Sequence, residues 1–191
     1  MNHYSSKQSG VRLMTQVALL TAIGILIPII MPFKINLGPF SWTLGSHVAI
    51  DIAMFISPLA ATFVTLGTTI GFSLGGFTFP VVMRALSHLL FVTIGSNILK
   101  KRHDFLLNWP KRLLFNLFIN IFHGIGEMSA IYILVVKGMT GLDGNFWPTL
   151  FILFGLSPLL HGMMDFEIAY WIIQTLQKRV HLDFPYFPKN K

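Results

Sequence analysis

Apolar residues run along this chain in long blocks separated by short polar or Pro- and Gly-rich breaks. The longest block, from Ser46 to Leu99, contains only two acid or guanidinium groups, Asp51 and Arg84. About 20 apolar residues span a bilayer, so this block is too long for one crossing. Breaks at Ser57-Pro58 and at Gly75-Gly76-Phe77-Thr78-Phe79-Pro80 divide it into three helices with tight connections. Taken from the start, residues 1–10 read as a polar tail, and a first span covers 12–31 with Pro28 kinking its outer end. PFKINLGPFSWTLGS, residues 32–46, is long for a linker between spans and is a candidate lid or binding loop. Further spans are expected at 47–56, 59–74, 81–99, 113–136 and 149–176. A polar connection fills 100–112, a Gly-rich turn fills 137–148, and the tail QKRVHLDFPYFPKNK reads as an interfacial strap. The pattern predicts an all-α integral membrane protein, a six-transmembrane-helix bundle forming a single membrane domain over residues 1–191.

Composition narrows the function. The 191 residues are 53% hydrophobic and 11% charged, against roughly 25% charged in soluble domains. No separate soluble module fits beside the spans, and no G-x-x-x-x-G-K-[ST] loop is present. Uphill transport would therefore draw on an ion gradient or on a partner. The absence of cysteine excludes disulfides and thiolate metal sites. No small-residue cleavage site follows the first apolar run, so no cleaved signal peptide is expected.

The net charge of +7 belongs to topology rather than to nucleic acid. Lys7, Arg12, Lys100, Lys101, Arg102, Lys111, Arg112, Lys178, Arg179, Lys189 and Lys191 fall on one side of a six-span chain. Only Lys34 and Lys137 fall on the other. Positive residues stay inside, so both termini are expected in the cytoplasm. The 32–46 loop and the 75–80 and 137–148 turns then face outward.

Four acid, base or imidazole pairs stand at i,i+4, on one helix face each: His47/Asp51, Arg84/His88, His123/Glu127 and His161/Asp165. Ionisable groups inside spans are costly and are site candidates by default. At 1.5 Å per residue Arg84 lies roughly 6 Å and His88 roughly 12 Å below the outer end of their span, and the other pairs sit at similar depth. Intramembrane ion pairs that fix packing are the structural alternative for each. Arg84 is the best candidate ligand contact, because a guanidinium offers a bidentate fork to a carboxylate; a bridge to Asp51 or Glu127 is its structural alternative. Asn116 and Asn120 are expected to bond between helices. Tyr132, Trp147 and Trp171 fit interface anchors, while Trp42 and Trp147, and more weakly Phe40, would stack on an aromatic ligand. Small residues form two faces: Ala18-x-x-x-Ala22 beside Thr15, and Gly67, Gly71 and Gly75. Such faces let helices approach closely. Packing within the bundle is favoured for the glycines and stays open for the alanines.

Several of these blocks are shared with a known family. ALLTAIGILIPIIMP (18–32), SWTLGSHVAIDIAMFISPLAATFVTLGTTIGF (41–72) and VVMRALSHLLF (81–91) resemble the substrate-binding S component of energy-coupling factor (ECF) vitamin transporters, most closely the niacin-type. The resemblance extends over essentially the whole chain. It implies a prokaryotic multi-pass protein of the cell membrane that binds its vitamin from outside and has no ATP site and no enzymatic activity of its own. It also implies a transmembrane scaffold subunit and two cytoplasmic ATPase subunits as partners. Carried over, Ala18 and Ala22 meet the scaffold and the 32–46 loop is the lid. The resemblance further implies that Arg84, His88, His123, Glu127 and His161 line the pocket, with Trp42 and Trp147 as aromatic contacts. No metal and no cofactor are expected, and His47/Asp51 falls outside the family's usual pocket. Nicotinate suits this chemistry as a flat anion; pyridoxine or a hydroxymethylpyrimidine would also suit it. The competing class is an intramembrane enzyme using the His/acid pairs, although E-E-x-x-x-R and H-E-x-x-H are both absent.

Overall fold

Proline marks where the helices begin. Its fixed φ and missing N–H suit the first helical turn, and Pro58, Pro80, Pro110, Pro148 and Pro158 each stand at such a position. The computed structural model describes residues 3–142 and 146–188, with side chains from residue 10 onward. Its helices are α1 (His3–Ile30), α2 (Val48–Met54), α3 (Pro58–Leu74), α4 (Phe79–Ser87), α5 (Leu89–Lys101), α6 (Trp109–Val136), α7 (Trp147–Phe151) and α8 (Ser157–Val180). Ser57 caps α3 by accepting from Ala60 N, and Asn108 caps α6 by accepting from Lys111 N. Among the described residues four helical stretches are long and apolar enough to cross a membrane: Gly10–Ile30, Phe79–Lys101, Trp109–Val136 and Trp147–Val180. Helix α3 is a shorter apolar fifth. The protein is therefore a mostly helical membrane protein.

Several expectations are corrected. Residues 3–10 are helical and extend α1 instead of forming a free tail; with no proline before Pro28, the apolar helix propagates backwards at little cost. The expected 47–56 span holds only the seven-residue α2, which rises roughly 10 Å. Its residues Ala49–Met54 are all buried, so it is enclosed by protein. The 81–99 span is two helices that meet at His88. The 149–176 span opens as α7, passes through a π-helical turn at Ile152–Leu156 and continues as α8. Pro158 brings no N–H to that junction, and π-turns often accompany functional sites. Lys189, Lys191, residues 143–145 of the Gly-rich turn and the side chain of Lys7 lie outside the described residues.

The 32–46 loop is a β-hairpin, with β1 (Lys34–Leu37) antiparallel to β2 (Phe40–Thr43) and Leu37 opposite Phe40. Its two-residue turn is Gly38-Pro39, with Gly38 at φ +61°, a conformation that glycine adopts at no steric cost. β1 is exposed throughout, whereas Ser41 and Thr43 of β2 turn into the bundle. The hairpin is tied down by Thr78 Oγ1 donating to Gly38 O at 2.8 Å. Lys34 Nζ also donates to Pro28 O at the end of α1.

The main core gathers α2, α3, α5, α6, α8 and the tail. Phe184 and Phe187 are buried; Phe187 packs on Phe55 and Tyr170, and Tyr186 N donates to Phe55 O at 2.9 Å. The tail is thus a strap that plugs the core beneath α2. Helix α1 packs against α3 through glycines: a Cβ on Gly67 would strike Thr21, and one on Gly71 would strike the backbone of Ile25. Gly71→Ala is accordingly expected to separate α1 from α3 and to cost about 1–3 kcal/mol or more. A melting midpoint equal to wild type in detergent would show that the two helices can part freely.

Candidate binding site

The i,i+4 pairs place polar groups on four different helices, and tertiary packing selects their partners. All of them but Asp51 meet beneath the hairpin. Arg84, on α4, is 5% exposed. Its Nε and Nη2 donate to Glu127 Oε2 on α6, at 2.9 and 2.6 Å. Its Nη1 donates to Pro39 O at 3.2 Å and Nη2 donates to Ser41 O at 3.4 Å, both hairpin carbonyls. The Phe154 and Phe40 rings flank the guanidinium at 5.0 and 6.0 Å. Of the alternatives open to Arg84, Glu127 is therefore its acid.

The second oxygen of Glu127 faces imidazoles. Glu127 Oε1 is 3.1 Å from His88 Nε2 and 3.2 Å from His123 Nε2. His88 Nε2 in turn lies 3.4 Å from His47 Nε2. The His47 ring stands within 4.5–4.9 Å of those of His123, His88 and His161. His47 Nδ1 is 3.1 Å from Asp165 Oδ2, and His161 Nε2 is 3.3 Å from the same oxygen. Asp165 also accepts from Gly45 N and His47 N, each at 3.1 Å, which pins the base of the hairpin to α8.

Of the sequence pairs, His123/Glu127 and His161/Asp165 are in contact. Arg84 and His88 do not pair with each other; both reach Glu127. His47 pairs with Asp165 rather than Asp51. Asp51 is 1% exposed, and its Oδ2 has no partner among the described residues. His47, set apart from the pocket in the sequence reading, stands at its centre. The i,i+4 spacing marked it as notable but pointed to the wrong acid.

A polar chain leads from this cluster toward the other end of the bundle. His123 Nδ1 faces Asn120 Oδ1 at 3.2 Å, and Asn120 Nδ2 donates to Asn116 Oδ1 at 2.8 Å. Asn116 Nδ2 donates to Met163 O and to Glu167 Oε1, and Glu167 accepts from Arg112. Asn116 therefore bonds between helices, as expected, whereas Asn120 bonds along its own helix to Asn116 and His123. Gly162 makes the close approach possible, because a Cβ there would run into Asn120 and His123.

A cavity of ≈ 30 Å³ lies between hairpin and cluster, lined in part by Trp42, Ser46, His47, Arg84, His88 and His161. That volume holds one or two waters and is far below the roughly 300 Å³ or more of a ligand pocket. Trp42 tilts over His161 at 5.0 Å. Trp147 does not join it: half exposed, it stacks on Phe146 and Phe151 at the bundle surface.

Comparison with known proteins fits a membrane chain with a closed polar core. The chain is 38% identical over 186 residues to the niacin transporter NiaX of Lactococcus lactis subsp. cremoris (strain MG1363). The match covers 97% of this chain and 83% of the relative. This chain belongs to the NiaX family of vitamin-transporter S components. As a member it is a multi-pass cell-membrane protein of bacteria and a transport subunit rather than an intramembrane enzyme. No family model matches the chain. No solved structure matches it either.

Proposed function

We propose that this protein is the niacin-binding S component of an ECF-type importer, capturing nicotinate from outside between the hairpin and the Arg84–histidine cluster. The observation that carries this reading is the bonding of Arg84. Two of its N–H groups are held by the carbonyls of Pro39 and Ser41. Those donors form the fork that a carboxylate would take. Lifting the hairpin frees them and opens the ≈ 30 Å³ cavity, so the hairpin acts as a lid that caps the site until the anion replaces it. Trp42 and His161 then face the ring, while His88, His123 and Glu127 line the floor of the site. Trp147 joins them only through a rearrangement of the surface stack.

The chain is a single membrane domain that crosses six times with both termini cytoplasmic. Supporting this, Arg12 near the start of α1 donates to His181 O, and Phe55 at the end of α2 meets Tyr186 of the tail. One end of the bundle thus collects the basic residues and the strap, while the opposite end carries the hairpin. Helix α2 makes its crossing short because the hairpin base dips inward to Asp165. With no ATP-binding loop in the sequence, a transmembrane scaffold and two cytoplasmic ATPases supply the work. Ala18 and Ala22, both on the exposed face of α1, are the scaffold contact.

A second reading keeps the transporter and changes the vitamin. Arg84 is already neutralised by Glu127, a state compatible with a neutral ring such as pyridoxine or a hydroxymethylpyrimidine. A thermal-shift panel on detergent-purified protein separates the two. Nicotinate is expected to raise the melting midpoint, by the equivalent of about 2.7 kcal/mol at a hundredfold excess over Kd, and nicotinamide is not. Stabilisation by the neutral rings alone would reassign Arg84 to structure, and silence from every vitamin would overturn the function.

A further inference from the structure

We propose that His47, His88, His123 and Glu127 bind one divalent transition-metal ion of the Zn²⁺ class beneath the cavity. The ligand atoms of these four buried residues all lie within 4.8 Å of one another. A tetrahedral zinc with bonds of 2.0–2.1 Å sets its ligands roughly 3.3 Å apart. Three of the six spacings are near this value, 3.4 Å for His47–His88, 3.1 Å for His88–Glu127 and 3.2 Å for His123–Glu127, and the others stay within 4.8 Å. Imidazole and carboxylate together suit zinc, cobalt or nickel.

Hydrogen positions give an independent reason. Asn116 Nδ2 has two acceptors, Met163 O and Glu167 Oε1, which leaves Asn116 Oδ1 to accept from Asn120 Nδ2. Asn120 Oδ1 must then accept from His123 Nδ1–H. In a neutral His123 the Nε2 lone pair consequently points at Glu127 Oε1, one acceptor against another. His47 Nδ1–H likewise donates to Asp165, turning the lone pair of His47 Nε2 inward. Lone pairs of two imidazoles and one carboxylate converge, and His88 Nε2–H can serve only one of them. A cation resolves the conflict.

The surrounding groups have the form of an outer shell that orients metal ligands. Asp165 holds His47, Asn120 holds His123, and Arg84 holds the far oxygen of Glu127. Formal charge agrees: Glu127 and Asp165 bring two negative charges to the cluster, and Arg84 returns one. A divalent ion makes the cluster net positive, which favours an anionic guest. The metal site stands whether or not that guest is nicotinate.

The test uses the full chain carrying a streptavidin-affinity tag, so that no added histidines contribute. Stripped with chelator, reloaded with Co²⁺ and freed of excess, it is expected to retain close to one ion per chain and to show the intense visible bands of a four-coordinate site. His47→Ala and His123→Ala are each expected to weaken Co²⁺ at least tenfold, and Asn120→Ala roughly tenfold through loss of orientation. His103→Ala and His181→Ala, outside the cluster, should keep the metal. Wild-type protein that retains no more Co²⁺ than the His47→Ala/His123→Ala double variant overturns the site, whatever the variants' stability. Nicotinate titration of the same sample reads the vitamin site separately, so failure of one reading is not mistaken for failure of the other.

Discussion

Arg84→Ala is expected to weaken nicotinate binding by about thirtyfold or more. The guanidinium is the cation facing the cavity, and its N–H groups toward the hairpin are those a carboxylate would take. Truncating one partner of a buried charged contact costs about 2–5 kcal/mol, and each 1.4 kcal/mol is tenfold in affinity. The change also leaves Glu127 buried without its partner, which destabilises the fold by roughly 3–5 kcal/mol. Lost binding in Arg84→Ala alone would therefore not separate ligand contact from misfolding. Arg84→Met combined with Glu127→Gln removes both charges at similar volume and leaves no buried ion unpaired. Isothermal titration of that double variant, with its melting midpoint measured in parallel, decides the matter. A folded double variant that binds nicotinate like wild type would remove Arg84 from the site.

Replacing Ala18 and Ala22 by leucine is expected to abolish vitamin uptake by cells while leaving binding within about twofold of wild type. Helix α1 is held to the bundle by one side only, where Gly24, Gly67 and Gly71 bring it against α3. Ala18 and Ala22 lie on the open side beside Leu19, Ile23 and Leu26, which are 61%, 39% and 47% exposed. Lipid tolerates leucine there as well as alanine, because hydrocarbon does not discriminate between them. A helix of a partner subunit does discriminate, since small residues set how near its backbone can come. Uptake assays in cells, with binding measured on the purified chain, read the two effects apart. Loss of binding would assign the alanine face to internal packing, and intact uptake would remove it from the scaffold contact.

The helical periods and proline positions were legible because each helix in a membrane must satisfy its own backbone hydrogen bonds. A run of apolar residues between breaks has few other structures open to it. The breaks at Pro58 and Pro80 announced two helix starts, whereas the start of α8 beside Pro158 fell inside one expected span. KINL and FSWT both alternate polar and apolar residues across Gly38-Pro39, but four residues is the shortest run in which alternation signals a strand, and among Pro, Gly and aromatics the stretch reads as a loop. The shortness of the seven-residue α2 was also hidden: full burial and lipid exposure both require apolar residues, so His47–Ile56 looked like a lipid-facing span.

The site divides in the same way. Arg84, His88, His123, Glu127 and His161 stood out singly, because a polar group within an apolar run is expensive wherever it faces. Spacing along one helix then tied His47 to Asp51 and the family resemblance set the pair aside, whereas packing carried His47 across to Asp165 and into contact with His88. Trp147 had the same character as Trp42 in the sequence and sits at the surface, because α7 turns its aromatic stack outward. What the sequence determined by itself was the membrane class, the long apolar segments, the family and which polar residues are buried, since these follow from neighbours along the chain. Only the tertiary structure decided which acid holds which base, that three imidazoles and Glu127 converge, and that the hairpin occupies Arg84. Those contacts join residues some forty to one hundred and twenty positions apart, a separation that helical spacing does not record.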